Sequence, residues 1–206
     1  VGVPGGRRTA LYLSRFARGR TGSFLRSGVE LLAGIPSVVY GFFGLVIIVP
    51  FVRLLGPGTG LSVLAASLIL GIMILPTVIT VAQSALDAVP ARYYEGALAL
   101  GVDHEHAVFK VVAPAAASGI MAAIVLGLGR AIGETMAVVM VAGNMPIIPD
   151  SLLSGVRTMT ANIVLEMGYA ADLHREALIA TGVVLFVFIL LITMLLNVIR
   201  KRGEAR

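Results

Sequence analysis

The sequence predicts an all-α bundle of helices that crosses a membrane several times. Of its 206 residues, 58% are hydrophobic and only 13% are charged, which leaves too little polar surface to cover a water-soluble globule. The apolar residues fall in blocks of roughly 20 or more, the length at which a helix crosses about 30 Å of hydrocarbon. Membrane lipid is therefore the expected surrounding of the chain.

The apolar blocks predict about five membrane segments. One is a fragment near residues 10–17, and four are full spans expected at residues 29–55, 61–86, 111–143 and 177–199. Because the chain starts at Val1 without a methionine, we expect residues 1–206 to be a single transmembrane domain truncated at its N-terminus. The placement of residues 1–17 is left open.

Three prolines interrupt the predicted spans, at Pro36, Pro50 and Pro76. Each removes a backbone donor, so we expect each helix to kink there, which a membrane bundle tolerates where neighbouring helices satisfy the freed carbonyl.

The distribution of basic residues predicts which loops face the cytoplasm. Lysine and arginine are concentrated on one side: Arg7, Arg8, Arg15, Arg18, Arg20, Arg26, Arg92, Lys110, Arg200, Lys201, Arg202 and Arg206. Since cytoplasmic loops hold the excess of these residues, we expect both chain ends and the loop of residues 87–110 in the cytoplasm, and residues 144–175 outside. A net charge of +5 placed in this way does not favour nucleic acid as a partner.

The segment of residues 90–114 is too polar to remain in lipid, yet it has apolar faces at helical spacing. Pro90 suits the first turn of a short helix, and Gly101 suits a left-handed residue after its end. Asp103 suits the N-cap of a second helix. We therefore predict two short helices that project from the membrane.

Five residues of this segment lie at the spacing of a known motif: Glu95, Gly96, Ala97, Gly101 and Pro114. The pattern resembles the EAA loop of binding-protein-dependent ABC importer permeases, whose coupling helix sits in a groove of the ATPase subunit. Gly96 departs from the family pattern and costs about 1 kcal/mol relative to alanine in a helix interior. An amphipathic interfacial helix without a partner is the alternative interpretation.

His104 and His106 in the same segment suggest a metal site at first sight. Residues two apart point to different faces of a helix, and no third histidine or carboxylate is placed to complete a site. The chain also has no cysteine. We predict neither a metal nor a cofactor in this chain.

Arg130 and Glu134 fall inside the predicted span of residues 111–143, roughly 24 and 30 Å beyond Pro114 for a helix that rises about 1.5 Å per residue. Each charge costs about 2.5–3.5 kcal/mol in a membrane helix, so both should face protein or a water-filled path. A spacing of four places them on one helical face. The pair is either a structural ion pair or an anion site.

In the anion-site interpretation, the guanidinium fork of Arg130 binds a tetrahedral oxyanion. Glu134 then balances the charge of Arg130 or accepts a proton from the ligand. Phosphate carries such a proton near neutral pH and sulfate does not.

Two strings extend the resemblance over nearly the whole chain from about Thr9. IPSVVYG at residues 35–41 and GRAIGETMAVVMVAGN at residues 129–144 resemble the phosphate-importer permeases of the PstC type. The resemblance implies a type I ABC importer permease that moves inorganic phosphate through the bacterial inner membrane, with Arg130 and Glu134 in the substrate pathway. It also implies three partners: a second homologous permease, a cytoplasmic ATPase dimer and a periplasmic phosphate-binding protein.

The chain itself is not expected to be an enzyme. It has no G-x-x-x-x-G-K-[ST] sequence, so ATP is expected to be used by the separate ATPase subunit. An intramembrane hydrolase is the alternative from another class, but H-E-x-x-H and G-x-S-x-G are absent. Among transporters, a permease for sulfate, molybdate or another oxyanion is the alternative.

Overall fold

The structure, a computed structural model, describes residues 2–17 and 19–204, with side chains as far as residue 198. Arg18 and Arg206 lie outside the described residues, as do the side chains of Arg200, Lys201 and Arg202. The described residues form no β-strand, only an isolated bridge between Gly143 and Val156. The all-α prediction is confirmed for this part of the chain.

The helices follow one another with short connections. Their bounds are α1 Gly2–Arg15, α2 Gly19–Gly34, α3 Ser37–Phe43, α4 Val49–Arg53, α5 Val63–Asp87, α6 Ala91–Ala99, α7 His104–His106, α8 Ala113–Ala115, α9 Ala117–Gly133, α10 Met136–Val141, α11 Met159–Glu166 and α12 Asp172–Glu204. Two π-helical turns, Gly44–Ile48 and Ala107–Val112, join α3 to α4 and α7 to α8.

Two helices, α5 and α12, are each long and apolar enough to cross a membrane. Two further candidates are bent pairs, one formed by residues 19–34 with 37–53 and one by residues 104–115 with 117–133. Counted in this way, the described residues hold up to four spans by length and composition, which is the predicted number, but two of them are broken helix pairs whose bounds differ from the predicted residues 29–55 and 111–143. The 14 residues of α1 are too few for a full crossing, and the helix begins well before the segment predicted near residues 10–17.

The chain folds as two compact units, each with its own core. The first lies within residues 1–34, 74–128 and 194–206, and the second within residues 35–73 and 129–193. Lipid is as apolar as leucine, so close packing holds each core together more than removal from water does.

The core of the first unit is built from α1, the second half of α5, the π turn after α7 and α9. Leu13, Leu86, Val108 and Val112 are almost completely buried there. Gly127 of α9 allows a close approach, since a Cβ at this position would lie 2.8 Å from a methyl group of Val78. The core of the second unit is formed by small and β-branched side chains of α4, α5 and α10: Val49, Val52, Ala65, Ala66, Val138, Val141 and Ala142.

Both π-helical turns lead into a proline. The residue before Pro50 donates its backbone N–H to the carbonyl of Gly44, and the residue before Pro114 donates to Val108, in each case five residues back. Proline has no N–H, and its ring crowds the carbonyl four residues before it. The widened turn relieves this crowding without ending the helix.

Pro36 and Pro76, the other two prolines of the predicted spans, differ from each other. Pro36 lies at the break between α2 and α3, with extended backbone before the first turn of α3. Pro76 lies inside α5, which continues through it. Its carbonyl accepts a hydrogen bond of 2.8 Å from the hydroxyl of Thr80.

The segment of residues 90–114 forms two short helical stretches, as predicted. Pro90 lies one position before the first helical residue of α6, and Gly101 has the left-handed φ of 84° that ends this helix. Asp103 is the N-cap of α7, because its carboxylate accepts the backbone N–H of His106 at 2.7 Å.

Candidate functional site

Glu134 lies in a break between two helices. The helix α9 ends at Gly133 and α10 begins at Met136. Oε1 of Glu134 accepts the backbone N–H of Ala137 at 3.1 Å, which satisfies a donor in the first turn of α10 that has no partner within the helix. The predicted single span over residues 111–143, with Arg130 and Glu134 on one helical face, is therefore wrong.

The break is held from α11 by a threonine. The hydroxyl of Thr160 donates to the backbone carbonyl of Glu134 at 3.1 Å. The hydroxyls of Thr158 and Thr160 are 3.0 Å apart, and Thr158 caps α11 by accepting the N–H of Ala161. A hydroxyl has one hydrogen, so the bond between the two threonines takes its hydrogen from Thr158.

A cavity of about 230 Å³ adjoins the carboxylate. A water molecule occupies about 30 Å³ in the liquid, so the space holds several waters or a small ion. The side chains around it are mainly apolar, with four polar residues: Ser67, Glu134, Thr158 and Thr160. Sequence reasoning missed the three hydroxyl residues, because a serine or threonine in an apolar segment carries no motif.

Arg130 lies in the last turn of α9 with an exposed side chain. Tyr40 of α3, in the same unit, is buried, with only 6% of the residue exposed. Tyr40 belongs to the string of residues 35–41, for which the sequence suggested no individual role.

The two strings singled out in the sequence pack against each other. A Cβ at Gly41 of α3 would lie 2.9 Å from Cα of Ala137 and 2.8 Å from the sulfur of Met140, both in α10. No side chain fits at such a distance, so glycine at this position lets the two helix backbones meet.

The second string ends in two left-handed residues, Gly143 with φ 86° and Asn144 with φ 52°. Asparagine tolerates this conformation because its side chain bonds locally, and here Nδ2 donates to the carbonyl of Val139 at 2.7 Å. The carbonyl of Asn144 accepts Nε of Arg157 at 3.0 Å.

Arg157 also belongs to an ionic network within residues 144–175. Its guanidinium donates to Oε1 of Glu166 at 2.5 Å, and Nε2 of His174 lies 3.1 Å from Oε2 of the same carboxylate. The hydrogen bond from Tyr169, followed by that from Arg157, lowers the pKa of Glu166. The network links the ends of α10, α11 and α12, and no motif in the sequence indicated it.

The predicted coupling residues are distributed over the segment of residues 90–114. Glu95 and Gly96 lie on the exposed face of α6, whereas Ala97 points inward and is buried. Gly101 forms the turn after α6, and Pro114 lies at the start of α8, exposed. Glu95 and Gly96 are thus exposed, while Ala97 packs their helix against the rest of the first unit.

Among the residues that the structure describes, no three His, Cys, Asp or Glu side chains are arranged to hold a metal ion. Nδ1 of His106 is 3.0 Å from the carboxylate of Asp103. Hydrogen bonds from the backbone N–H and then the side chain of His106 lower the pKa of Asp103.

Residues 2–204 match the family model of the binding-protein-dependent transport system inner membrane component. A probable ABC transporter permease protein of Bacillus subtilis, YqgH, is 38% identical over 99% of this chain and 67% of its own length. The phosphate transport system permease protein PstC of Mesorhizobium japonicum is 34% identical over 100% of this chain and 69% of its own. PstC 1 of Mycobacterium tuberculosis is 36% identical over 86% and 59%.

Solved transporters have the same fold. A chain of the MetNI methionine ABC transporter, in an inward-facing conformation, has a TM-score of 0.72 at 22% identity, over 98% of this chain and 86% of its own. A chain of an amino acid ABC transporter determined with histidines has a TM-score of 0.62 at 18% identity, over 98% and 86%.

Proposed function

Because the chain belongs to the family of binding-protein-dependent transport system inner membrane components, we propose that it is the membrane permease subunit of an ATP-driven importer of inorganic phosphate. Relatives named as phosphate transport permeases support the substrate, at identities such as 34% over the whole chain. The observation that carries the proposal is the helix break at Glu134, which sets this residue beside a cavity while Arg130 lies in the last turn of the preceding helix.

The hydrogen-bond directions around this cavity favour a ligand that carries a proton. Thr160 gives its hydrogen to the Glu134 carbonyl, and Thr158 gives its hydrogen to Thr160. Both hydroxyls then offer a ligand only lone pairs, next to a carboxylate that is also an acceptor. Phosphate has a hydroxyl to donate near neutral pH, whereas sulfate has none. Arg130 supplies the opposite charge that holds the anion.

The remaining subunits follow from the same proposal. The segment of residues 90–114 contacts a cytoplasmic ATPase dimer, which hydrolyses ATP, through Glu95, Gly96, Ala97, Gly101 and Pro114. Residues 144–175 lie outside and receive a periplasmic phosphate-binding protein. A second homologous permease completes the translocation path, and both ends of this chain lie in the cytoplasm.

Competition between oxyanions tests the substrate. Cells whose only phosphate importer contains this chain take up labelled phosphate, and unlabelled phosphate, sulfate or molybdate is added in excess. We expect unlabelled phosphate alone to suppress the uptake. Equal suppression by sulfate, or uptake of labelled sulfate by the same cells, would contradict phosphate as the substrate and favour the alternative oxyanion.

A further inference from the structure

Three ring side chains meet where the first helix approaches the segment of residues 90–114. The hydroxyl of Tyr94 in α6 is hydrogen-bonded to Nδ1 of His104 in α7 at 2.8 Å. The His104 ring meets Phe16 edge-on, with 4.9 Å between ring centroids. Phe16 also contacts Phe109, at 6.2 Å between centroids. We call Phe16, Tyr94 and His104 the ring cluster.

The bond between Tyr94 and His104 closes the turn between the two helices of the segment. Gly101 lies between them in the left-handed conformation, and a glycine without a Cβ does not by itself fix the chain direction. The bond joins residues ten positions apart across this glycine, in a part-buried setting. It therefore holds the direction of α6 relative to α7.

Phe16 connects this bond to the helices of the same unit. Just before it, the hydroxyl of Ser14 donates to the carboxylate of Asp87 at 2.6 Å, and Arg15 donates to the carbonyl of Leu86 at 2.6 Å. The end of α1 is thereby fixed to the end of α5. Through Phe16, the ring cluster joins both helix ends to the exposed helix that carries Glu95.

We propose that Tyr94 and His104 are positioning residues for energy coupling, which fix the helix of the motif residues so that movement of the ATPase is passed to the membrane helices. This inference rests on the proposed function. It assigns a role to side chains outside the motif that contact neither substrate nor ATP. If the turn at Gly101 were flexible, α6 could move with the ATPase without moving α1 and α5.

The test uses the complete importer with the full-length permease in lipid vesicles, and measures phosphate moved and ATP hydrolysed in the same sample. In Tyr94→Phe and in His104→Phe, we expect ATP hydrolysis to persist. The phosphate moved per ATP should fall about threefold to tenfold, the effect of losing one part-buried hydrogen bond. The double variant should be no worse than either single variant, because both changes remove the same bond.

Tyr12→Phe is the matched control, since it removes the hydroxyl of a half-exposed ring that stacks on Phe16. It should keep the wild-type ratio. An unchanged amount of phosphate moved per ATP in Tyr94→Phe would overturn the inference. This includes the case in which both rates fall in proportion at equal complex abundance. If the wild-type complex moved no phosphate, the proposed function would fail instead, so the two failures are distinguishable.

Discussion

At the residue scale, Glu134 has two separable roles. One oxygen of its carboxylate caps α10 by accepting the N–H of Ala137. The second role belongs to the proposed function, in which the ionised carboxylate accepts a proton from phosphate. Glutamine keeps an oxygen that can cap the helix but accepts no proton, so the two roles respond differently to substitution.

Glu134→Gln should therefore leave the amount of folded complex unchanged and lower phosphate uptake about tenfold or more, since hydrogen bonds to charged groups contribute about 1.5–3 kcal/mol. Uptake of labelled phosphate at matched membrane abundance measures this. Glu134→Ala serves as the comparison, because it removes the cap as well and should also reduce abundance. Transport by Glu134→Gln at the wild-type rate would contradict the proposed role of Glu134 as a proton acceptor.

At the element scale, the sequence predicted helices better than their ends. Blocks of apolar residues located α5 and α12, and turn chemistry located Gly101 and Asp103, because these signals are local. The apolar pattern continues across Glu134, so the neighbouring sequence did not indicate the break between α9 and α10. Its backbone partner is Thr160, 26 residues later, and Arg157, Glu166 and His174 likewise acquire their roles only through folding.

The hydrogen bond from Thr160 of α11 to the carbonyl of Glu134 is expected to support transport. Thr160→Val removes the donor to the Glu134 carbonyl, and we expect slower phosphate uptake, by about threefold to tenfold for one lost hydrogen bond. Thr160→Ser keeps the hydroxyl and should stay near wild type. Thr181→Val is the control, since its hydroxyl bonds only within α12. Equal uptake by Thr160→Val and wild type would show that transport does not need this hydrogen bond.

At the scale of the whole molecule, the proposed function requires residues 90–114 on the cytoplasmic side of the membrane and residues 144–175 on the outer side. Residues 1–206 contain no cysteine, so one introduced cysteine is the single thiol in this part of the permease. Ile148, 90% exposed in residues 144–175, and Leu100, 86% exposed in residues 90–114, are suitable sites.

With a membrane-impermeant thiol reagent, Ile148→Cys should react in intact cells with a permeable outer membrane. Leu100→Cys should react only in inside-out vesicles washed free of peripheral subunits, because basic residues place its loop in the cytoplasm. Reversed accessibility of the two cysteines would contradict the orientation, and with it the assignment of the segment of residues 90–114 to the ATPase.

The proposed function predicts that Arg130 lies on the path of phosphate. The most direct measurement is uptake of labelled phosphate in cells whose only phosphate importer contains this chain, comparing wild type with Arg130→Gln at matched membrane abundance and intact assembly. Arg53→Gln, which changes an exposed arginine of the same unit in the last turn of α4, is the control. We predict that Arg130→Gln abolishes uptake while Arg53→Gln preserves it. Undiminished uptake by Arg130→Gln would make Arg130 and Glu134 structural residues and place the anion site elsewhere.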